Sequence, residues 1–303
     1  MQTTGQAQFR AEMEKKLASR PDLMEKIIPS FAPGCRRLTP GKGFLEALLQ
    51  DNVEVIHSDR IASVSSEKGV ELESGRSISD LDVLVCATGF KVAQAPPFPI
   101  LGRNGVELAK RWSHLSESYL SLAVDGFPNY LMLFGPNSAI GFGSLTKMLE
   151  AECDYIVKVI RKLQKEDYAS IEPKPERVRD FAAYVKAYFK NTVYMDKCRS
   201  WYRKGDDVTG LWPGSTLHAL EALRSPRWED FVYEDVVVVD DDDNDDDDDG
   251  NSGANALRWL GNGWSTTQTG RVPSWYIYPE DVDFPHEGRP EENPRYNERP
   301  WSY

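Results

Sequence analysis

Residues Asp82 to Phe90 read DVLVCATGF. Val83, Leu84, Val85 and Cys86 form a continuous apolar run between a carboxylate and the small residues Ala87, Thr88 and Gly89. A short apolar run with such flanks predicts a strand buried on both faces. Small residues at a strand end let another group approach the backbone closely. On these residues alone an ordinary strand and turn fits as well, so the neighbouring segments decide what kind of strand this is.

Working outward, FLEALLQ (Phe44 to Gln50) predicts a short helix and VEVIHS (Val53 to Ser58) a strand. IASVSSEKGVELESGRSI (Ile61 to Ile78) alternates around Lys68 and Gly69, the pattern of a β-hairpin with a glycine turn. Upstream, residues 8–26 predict a helix broken at Pro21, and IIPSFAPGCRRLTPGKGF is a structured loop rich in Pro and Gly. Downstream, residues 94–104 are loop and YLMLFG (Tyr130 to Gly135) is a second buried strand. PNSAIGFGSL then leads into a helix. Leu145, Met148, Leu149, Cys153, Ile156, Val157 and Ile160 recur at threes and fours, which predicts an amphipathic helix on a core. A further helix runs from Pro175 to about Lys190, and residues 198–233, rich in tryptophan, are ordered. There are no internal repeats.

The order helix, loop, strand, hairpin, strand is half of a nucleotide-binding fold. The other half, a strand followed by GxGxxG and a helix, belongs at the front. It is not in this sequence. GKGFLEA at Gly41 fails at its third position and has no strand before it, and GFGSL at Gly141 lacks the glycine spacing. GFGSL does join a strand to a helix. The free N–H groups at that helix start suit a phosphate or an electron-rich ring edge, and a turn needed only for packing fits equally well. Ser144 does not sit in GxSxG, which excludes a hydrolase nucleophile. His57, His114, His218 and His286 have no ligand-spaced partners, so no metal site is expected.

The 303 residues carry a net charge of −12. Nine of those charges belong to DDDDNDDDDD (Asp240 to Asp249), which leaves −3 for the rest and no basic surplus for nucleic acid. The acidic run and the polar residues after it, 240–303, read as mostly disordered. No apolar stretch approaches the length of a membrane span, and MQTTGQAQFRAEMEKKLASR lacks the apolar core of a secretory signal. Cys35, Cys86, Cys153 and Cys198 lie far apart without a CxxC pair. This spacing argues against zinc and against a disulfide scaffold, and it fits the reducing interior of the cytoplasm.

Taken together, DVLVCATGF, YLMLFGPNSAIGFGSL, CRSWYRKG and LWPGSTLHALEALRSPRWEDF resemble the C-terminal half of fungal FAD-dependent monooxygenases of the Baeyer–Villiger type. PGCRRLTPGKGFLEALLQDNVEVI is similar to the segment just before it, so the resemblance covers roughly residues 8–233. It implies FAD and NADPH as cofactors and a small ketone-like substrate, with fungal secondary metabolism as the setting. It also implies roles. Arg37 matches the active-site arginine that stabilises the negatively charged peroxyflavin, a task suited to a fixed guanidinium. Arg36 matches a contact to the 2′-phosphate of the nicotinamide cofactor. Ala87, Thr88 and Gly89 match the strand end that closes over FAD, Leu145 a backbone contact to the flavin ring, and Trp201 an aromatic residue near nicotinamide and substrate.

The family carries two glycine-rich loops with a histidine- and tryptophan-bearing fingerprint between them, and none of the three is in this sequence. The expectation is therefore an α/β, incomplete two-dinucleotide-binding (Rossmann-like) flavoprotein fold. Residues 1–34 are read as a helical remnant of the nicotinamide-cofactor domain, 35–233 as the C-terminal part of the FAD-binding domain, and 234–303 as an acidic, mostly disordered tail. A fragment, an unusual gene model and one chain of a split enzyme with a separate N-terminal partner all fit. The alternative function is a non-catalytic remnant or partner module. An orphan half of this kind leaves apolar strand edges exposed, so poor stability on its own is expected.

Overall fold

The computed structural model describes residues 2–235 apart from residues 40, 66–68, 90–94, 142 and 167. The acidic run and everything after it lie outside the described residues. The chain divides into two compact units: one comprises Met1–Val92 and Asn191–Trp201, the other Ala93–Lys190 and the chain from Tyr202 onward.

The first unit begins with α1 (Gln2–Lys16) and α2 (Pro21–Ile27). The helix break expected at Pro21 is present, with the proline in the first turn of α2, where a missing N–H costs nothing. Leu17 and Leu23, on either side of the break, are both buried. Short α3 (Phe44–Ala47) follows, shorter than the expected 44–50. A Lys16–Glu46 ion pair at 3.0 Å links α1 to α3.

The expected hairpin forms: β1 (Ile61–Ser65) pairs antiparallel with β2 (Gly69–Leu72), and β3 (Ser77–Ile78) adds a third strand on the far side of β2. Val70 and Leu72 point into the unit, whereas every residue of β1 is exposed. Gly69 has φ +71°, and a side chain there would run into the carbonyl of Ile78, so glycine is required twice over.

Three expected strands do not form. Residues 82–89 belong to no sheet, and Val83 and Val85 are 75 % and 79 % exposed rather than buried. Residues 53–58 are likewise irregular. Of 130–135 there remains an isolated bridge from Leu131 to Ala123, and Leu133 and Phe134 are about half exposed. The physical reason is common to all three: a strand buried on both faces needs neighbours to take its N–H and C=O groups, and no described strand pairs with them.

The second unit holds short α4 (Leu108–Arg111), long α5 (Leu145–Glu166), β4 (Tyr168–Pro173) and α6 (Pro175–Phe189). It continues with β5 (Arg203–Lys204), β6 (Asp207–Val208), α7 (Thr216–Ala222) and β7 (Phe231–Asp235). β4 and β7 pair antiparallel, from Tyr168 opposite Asp235 to Pro173 opposite Phe231, and α5 packs against β4 and α7. α5 and α6 follow the expected positions, and residues 198–233 are ordered as expected. The buried side of α5 differs from the expected one. Met148, Glu152, Tyr155 and Val159 are buried, while Leu145, Cys153 and Ile160 are exposed. The helix has a wide apolar arc, and the unit covers one edge of it.

The cysteine reading is corrected too. Cys35 and Cys198, 163 residues apart, are joined by a disulfide in the first unit. Local spacing cannot show a pairing made by tertiary folding. Cys86 and Cys153 are free and exposed.

Candidate cofactor-binding site

The first unit contains a cavity of about 710 Å³. One wall is the face of α1 that presents Gln6, Phe9, Arg10 and Met13 at helical spacing. The other wall is the loop after α2, from Ile28 to Thr39, closed by Phe44 of α3. Gln6 fastens the walls together by donating its side-chain N–H to the Ser30 carbonyl at 2.8 Å. The lining joins three guanidinium groups, of Arg10, Arg36 and Arg37, to the apolar Phe9, Met13, Phe31 and Phe44. Arg10 is engaged with Glu14 at 2.8 Å. Arg36 and Arg37 are exposed side by side at the lining.

That combination suits a ligand with an anionic group and a flat apolar ring. Guanidinium forks bind phosphate in two-pronged fashion, and aromatic walls accept rings. The volume also matches ordinary ligand sites, which run to several hundred Å³. The cavity in the second unit, about 30 Å³ beside Asn137, Phe181 and Thr209, has room for little more than water.

A second segment holds the arginine loop in place. Residues 191–201 pass beneath it, and Asp196 Oδ2 accepts the Ala32 N–H at 2.6 Å. Asp196 Oδ1 accepts the Lys197 N–H at 2.7 Å. These two backbone donors, that of Ala32 foremost, lower the Asp196 carboxyl below the usual carboxylate range. The Cys35–Cys198 bond lies next to both contacts in sequence, directly before Arg36.

The structure brings Arg36 and Arg37 together at one cavity. Ala87, Thr88, Gly89 and Trp201, of the same unit, are not among the residues that line it. Ala87, Thr88 and Gly89 are exposed, and Gly89 has φ +85°, the left-handed conformation glycine tolerates. Trp201 is 46 % exposed. Leu145, in the second unit, opens α5 and is 39 % exposed. At that helix start the Ser144 hydroxyl accepts the Lys147 N–H at 3.4 Å, so the helix is capped from within. Gly143, at φ +134°, lies so close to Thr216 that a side chain would overlap it. For Gly143 the turn is therefore required by packing. Sequence reasoning missed Phe9, Arg10 and Phe31 as cavity residues. The signal present was the spacing of Gln6, Phe9, Arg10 and Met13 along one helix face.

No family model matches the chain. Curated relatives do. The chain is 37 % identical over 232 residues to the FAD-binding monooxygenase moxY of Dothistroma septosporum, a match covering 76 % of this chain and 36 % of that protein. It is 38 % identical over 224 residues to the FAD-binding monooxygenase tazF of Aspergillus terreus, covering 72 % and 39 %. Among solved structures, an oxidised steroid monooxygenase bound to NADP matches with TM-score 0.64 at 25 % identity, over 78 % of this chain and 46 % of that one. A cyclohexanone monooxygenase of Rhodococcus sp. Phi1 bound to NADP+ shares the fold at TM-score 0.67 and 24 % identity, over 78 % and 45 %.

The chain has a mixed helix and strand fold that resembles flavin monooxygenase domains. Three-quarters of the chain is homologous to the fungal FAD-binding monooxygenases, and it spans little more than a third of the length of the two relatives.

Proposed function

We propose that this chain forms the C-terminal part of an FAD- and NADPH-dependent monooxygenase of the Baeyer–Villiger type. The observation that carries the reading is the Arg36–Arg37 pair at an aromatic-lined cavity, within a sequence 37 % identical to an FAD-binding monooxygenase. When bound, the nicotinamide cofactor would supply a hydride and the flavin would supply oxygen-activating chemistry.

The residues fit the nicotinamide cofactor. Arg36 would pair with its 2′-phosphate, and Phe9, Phe31 and Phe44, which line the same cavity, would shield its rings from water. Arg37 holds negative charge that develops at the reacting centre, where a preorganised cation is worth most. Trp201 is assigned to the nicotinamide side and the Leu145 backbone to the flavin ring by the family resemblance alone. The described residues fit FAD less completely. Ala87 to Gly89 are exposed and line neither described cavity. No flavin step is derived from them. The fold is the Rossmann-like one of such flavoproteins, and the dinucleotide-binding portion of the enzyme, in the same or a separate N-terminal chain, would complete the flavin site. The substrate class is a small ketone-like molecule of fungal secondary metabolism, and the compartment is the cytoplasm. Among the described residues no helix is long and apolar enough to cross a membrane.

Calorimetric titration with NADP+ tests the reading. Arg36→Ala should weaken binding about tenfold or more, the usual loss for a charge-assisted hydrogen bond. Equal affinities for the parent and the variant would overturn the assignment. The exposure of Ala87 to Gly89 favours a second reading, a non-catalytic partner module. Flavin absorbance that stays absent even with an added N-terminal chain, together with no NADPH oxidation, would select it.

A further inference from the structure

Arg10 has a place in the cavity that the cofactor reading does not use. It lines the wall formed by α1, whereas Arg36 and Arg37 line the wall formed by the loop after α2. Three guanidinium groups and no carboxylate stand among the described lining residues. Glu14, the partner of Arg10, is not one of them. Their hydrogen bond uses only Nε of Arg10, so the two terminal amino groups of that guanidinium have no partner among the described residues. Arg36 and Arg37 likewise have no hydrogen-bond or ion-pair partner among the described residues. The aromatic lining is open as well, with Phe9 and Phe44 51 % and 58 % exposed. Like charges gathered in one cleft repel until an anion neutralises them, and exposed apolar groups rimmed by polar ones mark a binding surface.

We infer that Arg10 is a second anion contact, and that the cavity takes a ligand with two separate anionic groups, one held by Arg36 on the loop wall and the other by Arg10 on the helix wall. Adjacent cations on one wall serve one phosphate, and a cation on each wall serves two. Gln6, one turn before Arg10 on the same face of α1, donates to the Ser30 carbonyl at 2.8 Å and ties the two walls together. The Glu14 contact orients Arg10 through Nε and leaves the flat edge of its terminal amino groups for a two-pronged bond to phosphate. Because that ion pair is exposed, it contributes little to stability and does not hold the guanidinium back. The phenylalanines supply the surface for a flat ring. The ligand class is therefore an aromatic nucleoside that carries two phosphate groups, of which adenosine 2′,5′-bisphosphate is the simplest example. The assignment of one phosphate to Arg36 rests on the cofactor reading given above, and the role of Arg10 rests on the cavity alone.

The test is calorimetric titration of the full chain at low salt with three probes: adenosine 2′,5′-bisphosphate, 2′-AMP and inorganic tripolyphosphate. The parent should bind the bisphosphate about tenfold more tightly than 2′-AMP, the usual gain from one further charge-assisted hydrogen bond. Arg10→Ala should erase that advantage and leave the affinity for 2′-AMP unchanged, whereas Arg36→Ala should weaken both. Arg10→Lys keeps the charge and should recover part of the advantage. Glu14→Gln removes the ion pair, keeps the guanidinium and should keep the advantage. Its loss in Glu14→Gln would mean that the ion pair acts through the structure of α1 and would overturn the contact. An equal loss for both adenosine ligands in Arg10→Ala, or an advantage that survives that change, would also overturn the role of Arg10 and leave the cofactor reading standing. Tripolyphosphate binding that needs both Arg10 and Arg36, with neither adenosine ligand bound more tightly, would keep the two-anion site and overturn the cofactor reading. No binding of any probe would overturn both and assign the open face to another part of the protein.

Discussion

Glu152 lies on α5 with no exposed surface. Its Oε2 accepts the Phe134 N–H at 2.8 Å, and its Oε1 has no partner among the described residues. Burial pushes the carboxyl up to about 7, against the smaller opposing pull of the Phe134 N–H. The folded chain therefore binds a proton at Glu152 that the unfolded chain gives up near its ordinary value. Stability from this group is complete below that ordinary value and is lost as pH rises towards 7, by about 3 kcal/mol at most. Glu152→Gln should remove that slope and leave the variant more stable than the parent at pH 7.5. Urea melts of both proteins at pH 5 and pH 7.5 measure the difference, and parallel curves would refute it. Nothing in the sequence marked Glu152, one carboxylate among several on a charged helix. The family resemblance alone singled out Arg36 and Arg37, since two arginines in a loop read by themselves as solvated ion-pair formers, and both line the cavity. Arg10 was not legible, since only the folded loop brings it to the same cavity.

At the scale of the element, helices were read well and strands poorly. A helix satisfies its own backbone, so α5 and α6 follow from periodicity and flanking residues alone. A strand depends on a neighbour, and the apolar runs at 53–58, 82–86 and 130–135 have none among the described strands. The hairpin β1–β2 was legible because a turn supplies its partner locally. The orientation of α5 was legible only in part. Its apolar arc is broader than the face the second unit covers, so periodicity could not say which edge is buried. The two edges should respond differently to substitution. Met148→Ala removes a fully buried side chain and should cost about 2–5 kcal/mol, the range for emptying a core position. Leu145→Ser and Ile160→Ser change side chains 39 % and 44 % exposed and should stay within about 0.5 kcal/mol. Chemical denaturation of the isolated chain separates the two classes. A Leu145→Ser cost as large as that of Met148→Ala would mean the exposed edge is covered in solution.

At the scale of the whole molecule, the exposed apolar groups form a pattern. Val83, Leu84 and Val85 lie in the run that the sequence marks as a buried strand, and Leu133 and Phe134 lie in the second such run. Every residue of β1 is exposed as well. Exposed apolar runs of this kind mark interaction surfaces or aggregation sites rather than ordinary protein surface. On the proposed function the partner is the dinucleotide-binding portion of the enzyme, which would supply strands on either side of residues 82–86. Two outcomes follow for the chain by itself. It should bind a dye for exposed apolar surface at neutral pH, and its thermal transition should be broad. Adding the separately expressed N-terminal portion of a fungal relative together with FAD should quench the dye signal and sharpen the melt. Val83→Asp with Val85→Asp should lower dye binding by the chain alone and abolish the response to the partner, because charges cannot enter a strand buried on both faces. A sharp cooperative melt of the chain alone, with no dye bound, would show that these segments are covered by other means and would remove the need for a partner.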